Sequence, residues 1–472
     1  MSYLLSILMV ILVALVLLPK MTSLPSRFAL TMVLSVPQLY VLPVADFYLS
    51  LAFVSALALW PEVFKNWRSL LQNKVVVVAA AIMLTQAASL LWSSDPRLGI
   101  RTLAYAAPFF LIASAAASMA RDHPRALRVV LRVVCAELLL LALLVVSFRL
   151  DPDFEMAYLR SELAGWLTGP NTIRAMLDGT GRNNIFDPAK SGGVFVNANI
   201  AAAYLGIGAL TAFALAGQNQ GRARWLLLVG VFLLAGVFFT GSKAGTLLGL
   251  ILPLAAVGVA LHARFDRLAR NTILAVALIL GPASLVLAWQ VTMHASQLMV
   301  GDLASAGAAF VAESANTAGV RLQIWRHAAT VFADTPFLGQ GFGGWGRSYA
   351  PYANTVGLSP SFPPHNTLIY LWSQSGLLAV LLALAFIFLV ARLAWVLIRS
   401  DQPQTQHLGL LLGLTSAWHF GHGMGENWGL WGDPHLLPLF ATLVGWSIYA
   451  RSAQPAEGLR GSPLPRPQQT AR

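Results

Sequence analysis

Three polar signals stand at the ends of apolar stretches: Thr240-Gly-Ser-Lys243, Arg321 with Trp325, and Pro364-His365-Asn366. Two cations and an imidazole brought to one membrane face would suit cleavage of a sugar–pyrophosphate bond. Such cleavage builds negative charge on the departing phosphate, and fixed cations in a partly dehydrated cleft stabilise that charge far better than water does. Lys243 and Arg321 have that chemistry. The attacking hydroxyl must lose a proton, which an imidazole titrating near neutrality can accept, and His365 is the candidate. Each residue also has a plainer reading. Lys243 could snorkel from a helix end to the headgroups, Arg321 could anchor a surface helix to lipid phosphate, and His365 could cap the helix that begins after Asn366. Three such residues at three separate segment ends favour the chemical reading.

The elements that would position them follow from composition. Hydrophobic residues make up 57% of the 472 and charged residues 11%, far from the values of a soluble domain. Apolar runs of roughly 17 to 25 residues suit membrane spans. They are read at Tyr3–Leu18, Phe28–Val44, Tyr48–Phe64, Val75–Trp92, Thr102–Met119, Val129–Ser147, Val194–Ala216, Trp225–Thr240, Ala244–His262, Thr272–Val291, Thr367–Ala391, Leu408–Phe420 and Leu436–Ala450. These runs are too long and continuous for barrel strands, and buried backbone groups must be satisfied within each segment. The expected fold is therefore all-α, a polytopic integral membrane protein with about 12 to 13 transmembrane helices.

The net charge of +12 could point to nucleic acid, but the basic residues are strung singly between apolar segments rather than gathered on a polar domain. They orient the chain instead. Lys65, Arg68 and Lys74, then Arg121, Arg125, Arg128 and Arg132, then Arg222 and Arg224, then Arg264, Arg267 and Arg270, fall in short alternate connections, which are read as cytoplasmic. Two long loops then face the other side, at 149–193 and 292–366. The second carries a helical period over Glu313–Phe332 through Val320, Ile324, Ala328 and Val331, as expected of a surface helix. The Gly-rich run 339–346 lacks the strand and lysine of a nucleotide loop and reads as a flexible return to the membrane. The tail from Ser452 reads as disordered.

Other polar residues extend the candidate site. Asn197 and Asn199 lie within an apolar run, where they either bond neighbouring helices or face a substrate cleft. Ser242, Trp325, Arg347, Asn366 and Glu426 are further candidates for binding substrate. The segment Trp418–His435 holds His419, His422, Glu426 and His435, but without the spacing that sets two imidazoles on one helical face. No metal site is expected. Cys135, the one cysteine, lies in an apolar run and reads as packing. Glu137 is an intramembrane acid with no assigned role. A transporter would instead place charges near the bilayer midplane within repeated halves, and no repeat is evident.

Taken together, Gly192-Gly-Val-Phe-Val-Asn-Ala-Asn199, Thr240-Gly-Ser-Lys-Ala-Gly245, Arg321-Leu-Gln-Ile-Trp325, Pro336-Phe-Leu-Gly-Gln-Gly341 and His365-Asn366 followed by Gly376 resemble the O-antigen ligase and polymerase superfamily of bacterial envelopes. The likeness covers roughly Gly192 to Val390, with Trp92-Ser-Ser-Asp-Pro96 a further match. It implies a metal-independent glycosyltransferase without cofactor in the bacterial inner membrane, acting on its periplasmic face. The donor would be an undecaprenyl-pyrophosphate-linked glycan. The acceptor would be lipid A-core for a ligase, a growing glycan for a polymerase, or a protein for an oligosaccharyltransferase. The resemblance gives catalytic roles to Lys243, Arg321 and His365. Lys243 departs from the arginine common at that position, and lysine lacks the planar fork that grips phosphate in two places. The implied organisation is N-terminal transmembrane helices (1–148), a periplasmic loop (149–193), central helices with the Gly-Ser-Lys motif (194–291), a large periplasmic loop (292–366), C-terminal helices (367–450) and a cytoplasmic tail (451–472).

The orientation is testable. In a Cys135→Ser background, single cysteines at Ser94, Gly169 and Tyr352 are expected to react with an impermeant maleimide from outside. Cysteines at Lys65, Arg125, Arg222 and Arg267 should be protected, and the converse pattern would invert the topology.

Overall fold

The computed structural model describes residue 16 and residues 22–44, 47–178, 190–217, 224–262, 303–426 and 429–453. The apolar run Thr272–Val291, nearly all of Tyr3–Leu18 and the tail beyond residue 453 lie outside the described residues.

The N-terminal part departs from the sequence reading. Instead of two spans there are a helix α1 (Leu24–Leu34), an antiparallel hairpin of β1 (Tyr40–Val44) and β2 (Phe47–Ser50), and two helices, α2 (Leu51–Leu57) and α3 (Trp60–Gln72). Pro37 cannot continue a helix, and Gln38 and Leu39 adopt positive φ of 55° and 54°, which turns the chain into β1. The hairpin pairs Tyr40 with Ser50 and Val44 with Phe47, so the fold is mostly helical rather than all-α. Ser50 then caps α2 by accepting the Phe53 N–H at 3.2 Å. Hydropathy alone could not separate these elements, because strand residues such as Val, Tyr and Phe are as apolar as a span.

From Val75 on, every expected run within the described residues is helical. α4 (Lys74–Ser89) is capped by Asn73. α5 (Pro96–Ala106) is capped by Asp95, which accepts from Leu98 N at 3.1 Å, and α6 (Pro108–Asp122) and α7 (Pro124–Leu150) follow. Loop 149–193 contains the short helices α8 (Pro152–Leu159), α9 (Glu162–Thr168) and α10 (Pro170–Leu177). Then come α11 (Ala198–Gly217), α12 (Arg224–Phe239), α13 (Lys243–His262), α14 (Leu303–Asp334), α15 (Trp345–Thr355), α16 (Thr367–Ile398), α17 (Pro403–Gly423) and α18 (Leu437–Ser452). Among the described residues, 5 helical segments are long and apolar enough to cross a membrane: Lys74–Trp92, Pro96–Asp122, Pro124–Leu150, Ala198–Ala216 and Thr367–Ile398.

α6 packs along α18, α11 along α12, and α16 between α4 and α17. Phe109 meets Trp431 at 5.2 Å, and Phe386 meets Phe420 at 6.2 Å, in the buried centre. Offset and edge contacts of this kind add to the burial of the rings themselves. Arg27 and Glu62, both buried, pair at 3.9 Å, and Arg27 also donates to the Ala58 carbonyl at 2.6 Å. The ion pair offsets part of the cost of burying these charges and ties α1 to α3, while Arg27 Nε and Glu62 Oε2 make no hydrogen bond.

One break in a helix organises the outer segment. Gly376, within α16, has φ 77° and ψ −175°, a conformation reserved for glycine. The helical ladder opens there, and Ser373 gives its carbonyl to Gln340 N at 2.8 Å. Gln374 accepts the Gly343 N–H at 2.8 Å, and Trp372 donates to the Pro336 carbonyl at 2.8 Å while stacking on Phe332. On its other side the loop lies so close to Ser93 that a side chain at Gly341 would overlap that backbone. The Gly-rich run is thus a wedge seated between the start of α5 and the kink, and not a flexible return.

A methyl group at Gly376 would overlap the Phe337 carbonyl oxygen. Gly376→Ala is expected to cost at least about 1–3 kcal/mol from backbone strain alone and to lower the thermal midpoint of the detergent-solubilised protein. An unchanged midpoint would show that the kink is not held in this form.

Candidate active site

The site is a cleft of about 1660 Å³ whose walls include Asn197, Asn199, Ser242, Lys243, Arg321, Trp325, His365 and Glu426. These residues come from five separate regions of the chain, and local hydrogen bonding shapes the segments that carry them. Thr240 Oγ1 accepts the Ser242 N–H at 3.1 Å, and Ser242 Oγ accepts the Gly245 N–H at 3.1 Å. The Thr-Gly-Ser turn therefore caps α13 and makes Lys243 its first residue. A cation is unfavourable at the positive end of a helix dipole, whereas an anion is favoured there. Lys243 and the helix end together make an electropositive corner suited to phosphate.

Ser242 Oγ donates to Asn199 Oδ1 at 2.6 Å, and Asn199 Nδ2 donates to Glu426 Oε1 at 2.7 Å. The same carboxylate oxygen lies 3.4 Å from Arg321 Nη2, and Oε2 stands 3.9 Å from His365 Nδ1. Glu426 thus links α11, α14 and the approach to α16. Asn197 accepts the Asn199 N–H at 2.8 Å and so starts α11. It follows Val196, which has φ 60°. That conformation is an outlier for a β-branched side chain, and strain of this kind persists only where the surroundings enforce it.

Arg321 and His365 are also held by the packing of the outer segment. Ile324, Ala328, Trp345, Tyr349, Ala353 and Phe362 form a buried core of α14, α15 and the loop before α16. Trp325 Nε1 donates to the Pro364 carbonyl at 2.8 Å, fixing the helix of Arg321 against the loop of His365. His365 has φ 51°, and Asn366 supplies the cap of α16 by accepting from Leu368 N at 3.0 Å and Ile369 N at 3.1 Å. Capping is thus done by Asn366, and the imidazole is left to face the cleft.

Not all candidates meet there. Arg347 is exposed on α15 and is not among the cleft walls. Asn366 Nδ2 donates to the Met424 carbonyl at 3.2 Å, so its polar atoms are engaged in structure. His419 is buried, with Nε2 3.0 Å from the Leu430 carbonyl and its ring stacked on Phe440 at 4.5 Å. His435 Nδ1 lies 3.0 Å from the Val36 carbonyl, and burial holds its imidazole below the ordinary histidine range. His327 is likewise lowered by burial and packs against Trp345, Tyr349 and Tyr352, outside the cleft walls. Among the described residues no group of three or more His, Cys, Asp or Glu side chains is placed to hold a metal ion.

The cleft also has walls that sequence reasoning did not assign. Tyr40 and Tyr48 of the hairpin, Arg101 and Tyr105 of α5, and Lys190 line it. Tyr105 donates to the Tyr48 carbonyl at 3.0 Å, joining helix to hairpin. Burial, with Asp433 nearby, raises the Tyr40 phenol and keeps it protonated. Pro37 and Pro43 were the signal that the apolar run Phe28–Val44 was no continuous helix.

Helices long and apolar enough to cross a membrane, set around a polar cleft, suggest a multi-pass membrane protein. Residues 228–384 match the family model described as O-antigen ligase, which supports placing the chain in the O-antigen ligase superfamily. No curated protein matches it. The matched stretch contains Lys243, Arg321 and His365, whereas Asn199 and Glu426 lie outside it.

The Asn199 bridge yields a direct test. Asn199→Asp sets a second carboxylate against Glu426, while Asn199→Ala merely removes the two bonds. Hydrogen bonds to charged groups contribute about 1.5–3 kcal/mol. Both variants should lower the thermal midpoint, Asp more than Ala. Equal midpoints for the two would show that Glu426 and residue 199 do not meet.

Proposed function

We propose that the protein transfers a glycan from undecaprenyl pyrophosphate to an acceptor hydroxyl at the periplasmic face of the bacterial inner membrane, with lipid A-core as the acceptor, as an O-antigen ligase would. The observation that carries this reading is the meeting of Lys243, Arg321 and His365 in one cleft, with Arg321 and His365 tied to a common carboxylate. The family match supports a ligase- or polymerase-type enzyme. A polymerase or a protein oligosaccharyltransferase would use the same donor half and differ in the hydroxyl presented.

In this reading the donor's pyrophosphate lies between the start of α13 and Arg321. His365 Nε2 takes the acceptor's proton as its oxygen attacks the anomeric carbon. The bond from that carbon to the phosphate oxygen breaks, and undecaprenyl pyrophosphate leaves with the electron pair. Lys243, the α13 amides and Arg321 stabilise the charge that accumulates on it. The imidazolium formed has Nδ1 facing Glu426, which lowers the energy of that charge in turn. The proton then passes to water or to the departing pyrophosphate.

Proteoliposomes with purified lipid-linked glycan test the roles. Lys243→Ala and Arg321→Ala should raise donor KM and lower kcat, whereas Lys243→Arg should keep or improve transfer, since charge comes first and the bidentate fork second. His365→Ala should leave donor binding nearly intact and reduce transfer by about 10²–10⁴-fold, the usual range for a general base. His365→Asn is the sharper control. Asparagine accepts a positive φ readily, so this variant should fold normally and still fail to transfer. Normal turnover in it would remove the catalytic assignment.

A further inference from the structure

α16 and α17 lie side by side, but they do not stay in contact along their length. Small residues let two membrane helices approach backbone to backbone, and Gly409, Gly413, Ala417 and Gly421 form a row of them along α17, one at every fourth position. At Gly409 the approach is complete, for a methyl group there would stand 2.5 Å from the backbone nitrogen of Ile398. At Gly413 the added methyl would meet only the Ala394 methyl, at 3.6 Å, an ordinary contact. At Gly421 it would meet only Leu248 of α13, at 3.8 Å, and nothing of α16. The two helices therefore part from Gly409 toward Gly421 and leave a groove of about 340 Å³. Its walls, between Ile387 and Ile398 on α16 and between Gly413 and Gly421 on α17, are apolar but for the Ser416 hydroxyl and the indole N–H of Trp395.

One end of this groove carries charge. α16 is long and apolar enough to cross a membrane, so its end at Ile398 would lie at a membrane surface. There the half-exposed Trp395 lines the groove, and the guanidinium of the exposed Arg399 stands over its ring, 5.4 Å from the centroid. A cation above a dry slot matches a phospholipid in both its parts, since the slot takes hydrocarbon and the cation takes phosphate. We propose that the groove holds an anionic phospholipid of the bilayer, with an acyl chain laid between α16 and α17 from Ile398 toward Gly421 and the headgroup phosphate against Arg399. An empty groove would forfeit the dispersion contacts of its walls, and a chain restores them without moving either helix. Trp395, with an apolar body and a polar edge, suits the interface between chain and headgroup. The groove shares no wall with the cleft of Lys243, Arg321 and His365.

Native mass spectrometry of the full-length protein, released from detergent micelles, reads bound lipid directly. Dioleoyl phosphatidylglycerol and dioleoyl phosphatidylcholine share their chains and differ in charge, and wild type should bind the former more tightly. Arg399→Gln should weaken phosphatidylglycerol binding about fivefold, the contribution of one arginine near the surface, and leave phosphatidylcholine nearly unchanged. Ala417 is exposed in the groove, so a leucine there fills the groove without entering the protein core. Ala417→Leu should therefore weaken both lipids by a similar factor. Equal binding of the two lipids by wild type, or an Arg399→Gln variant that still prefers phosphatidylglycerol as strongly, overturns the headgroup assignment and the proposal with it. Undiminished binding of both lipids by Ala417→Leu overturns it as well, because the chain would then lie elsewhere. If undecaprenyl phosphate binds wild type more tightly than phosphatidylglycerol and loses that binding in Ala417→Leu, the groove belongs to a polyprenyl chain and the phospholipid assignment falls.

Discussion

The kink at Gly376 is the constraint on which the site depends. An unbroken α16 would keep the carbonyl of Ser373 inside its own ladder and leave the 336–344 loop without its backbone partner. Because the ladder opens, the loop docks between α16 and the start of α5. The segment that follows α14 is thereby tied to the kink, through Pro336 to Trp372 and Gln340 to Ser373. The Trp325 bond to the Pro364 carbonyl completes the closure, and two residues more than forty positions apart come to share one carboxylate. Under the proposed function this rigidity would serve chemistry, since displacement of a catalytic group by about 1 Å can cost two orders of magnitude in rate.

Electrostatically the cleft is built against its own stability. Lys243 sits at the helix end that repels a cation, Val196 and His365 hold backbone conformations that their side chains disfavour, and Arg321 is balanced by a contact longer than the optimum. Each of these costs a little, and all four occur around one cleft. Local misfit concentrated at one place is the usual mark of a site whose groups are set for a ligand rather than for each other.

The sequence disclosed much of this from a few particular residues. The apolar runs from Val75 to Ala450 became helices wherever the structure describes them, because length and hydrophobicity leave a membrane segment little alternative. Lys243, Arg321 and His365 stood out as isolated polar residues beside apolar stretches, and all three line the cleft. The hairpin at 40–50 was hidden, as its alternation is masked by apolar residues on both faces. The role of the Gly-rich run was also hidden: φ at Gly376 and the approach of Gly341 to Ser93 depend on contacts between segments far apart in the chain. Arg347 was a candidate for its charge alone, and the structure leaves it exposed and not among the cleft walls. The bond between Glu426 and Asn199 was out of reach for the same reason, because the two are distant in sequence.

Glu426 follows its three partners in chain order, which bears on how the protein is made. Synthesis runs from the N-terminus, so the electropositive corner at Lys243 and the guanidinium of Arg321 enter the membrane well before the residue that bridges Asn199, Arg321 and His365 exists. A nascent chain holding every helix up to α16 would have the cations and the imidazole but not the clasp that sets their spacing. Assembly of this cluster thereby waits on α17, the helix that precedes Glu426.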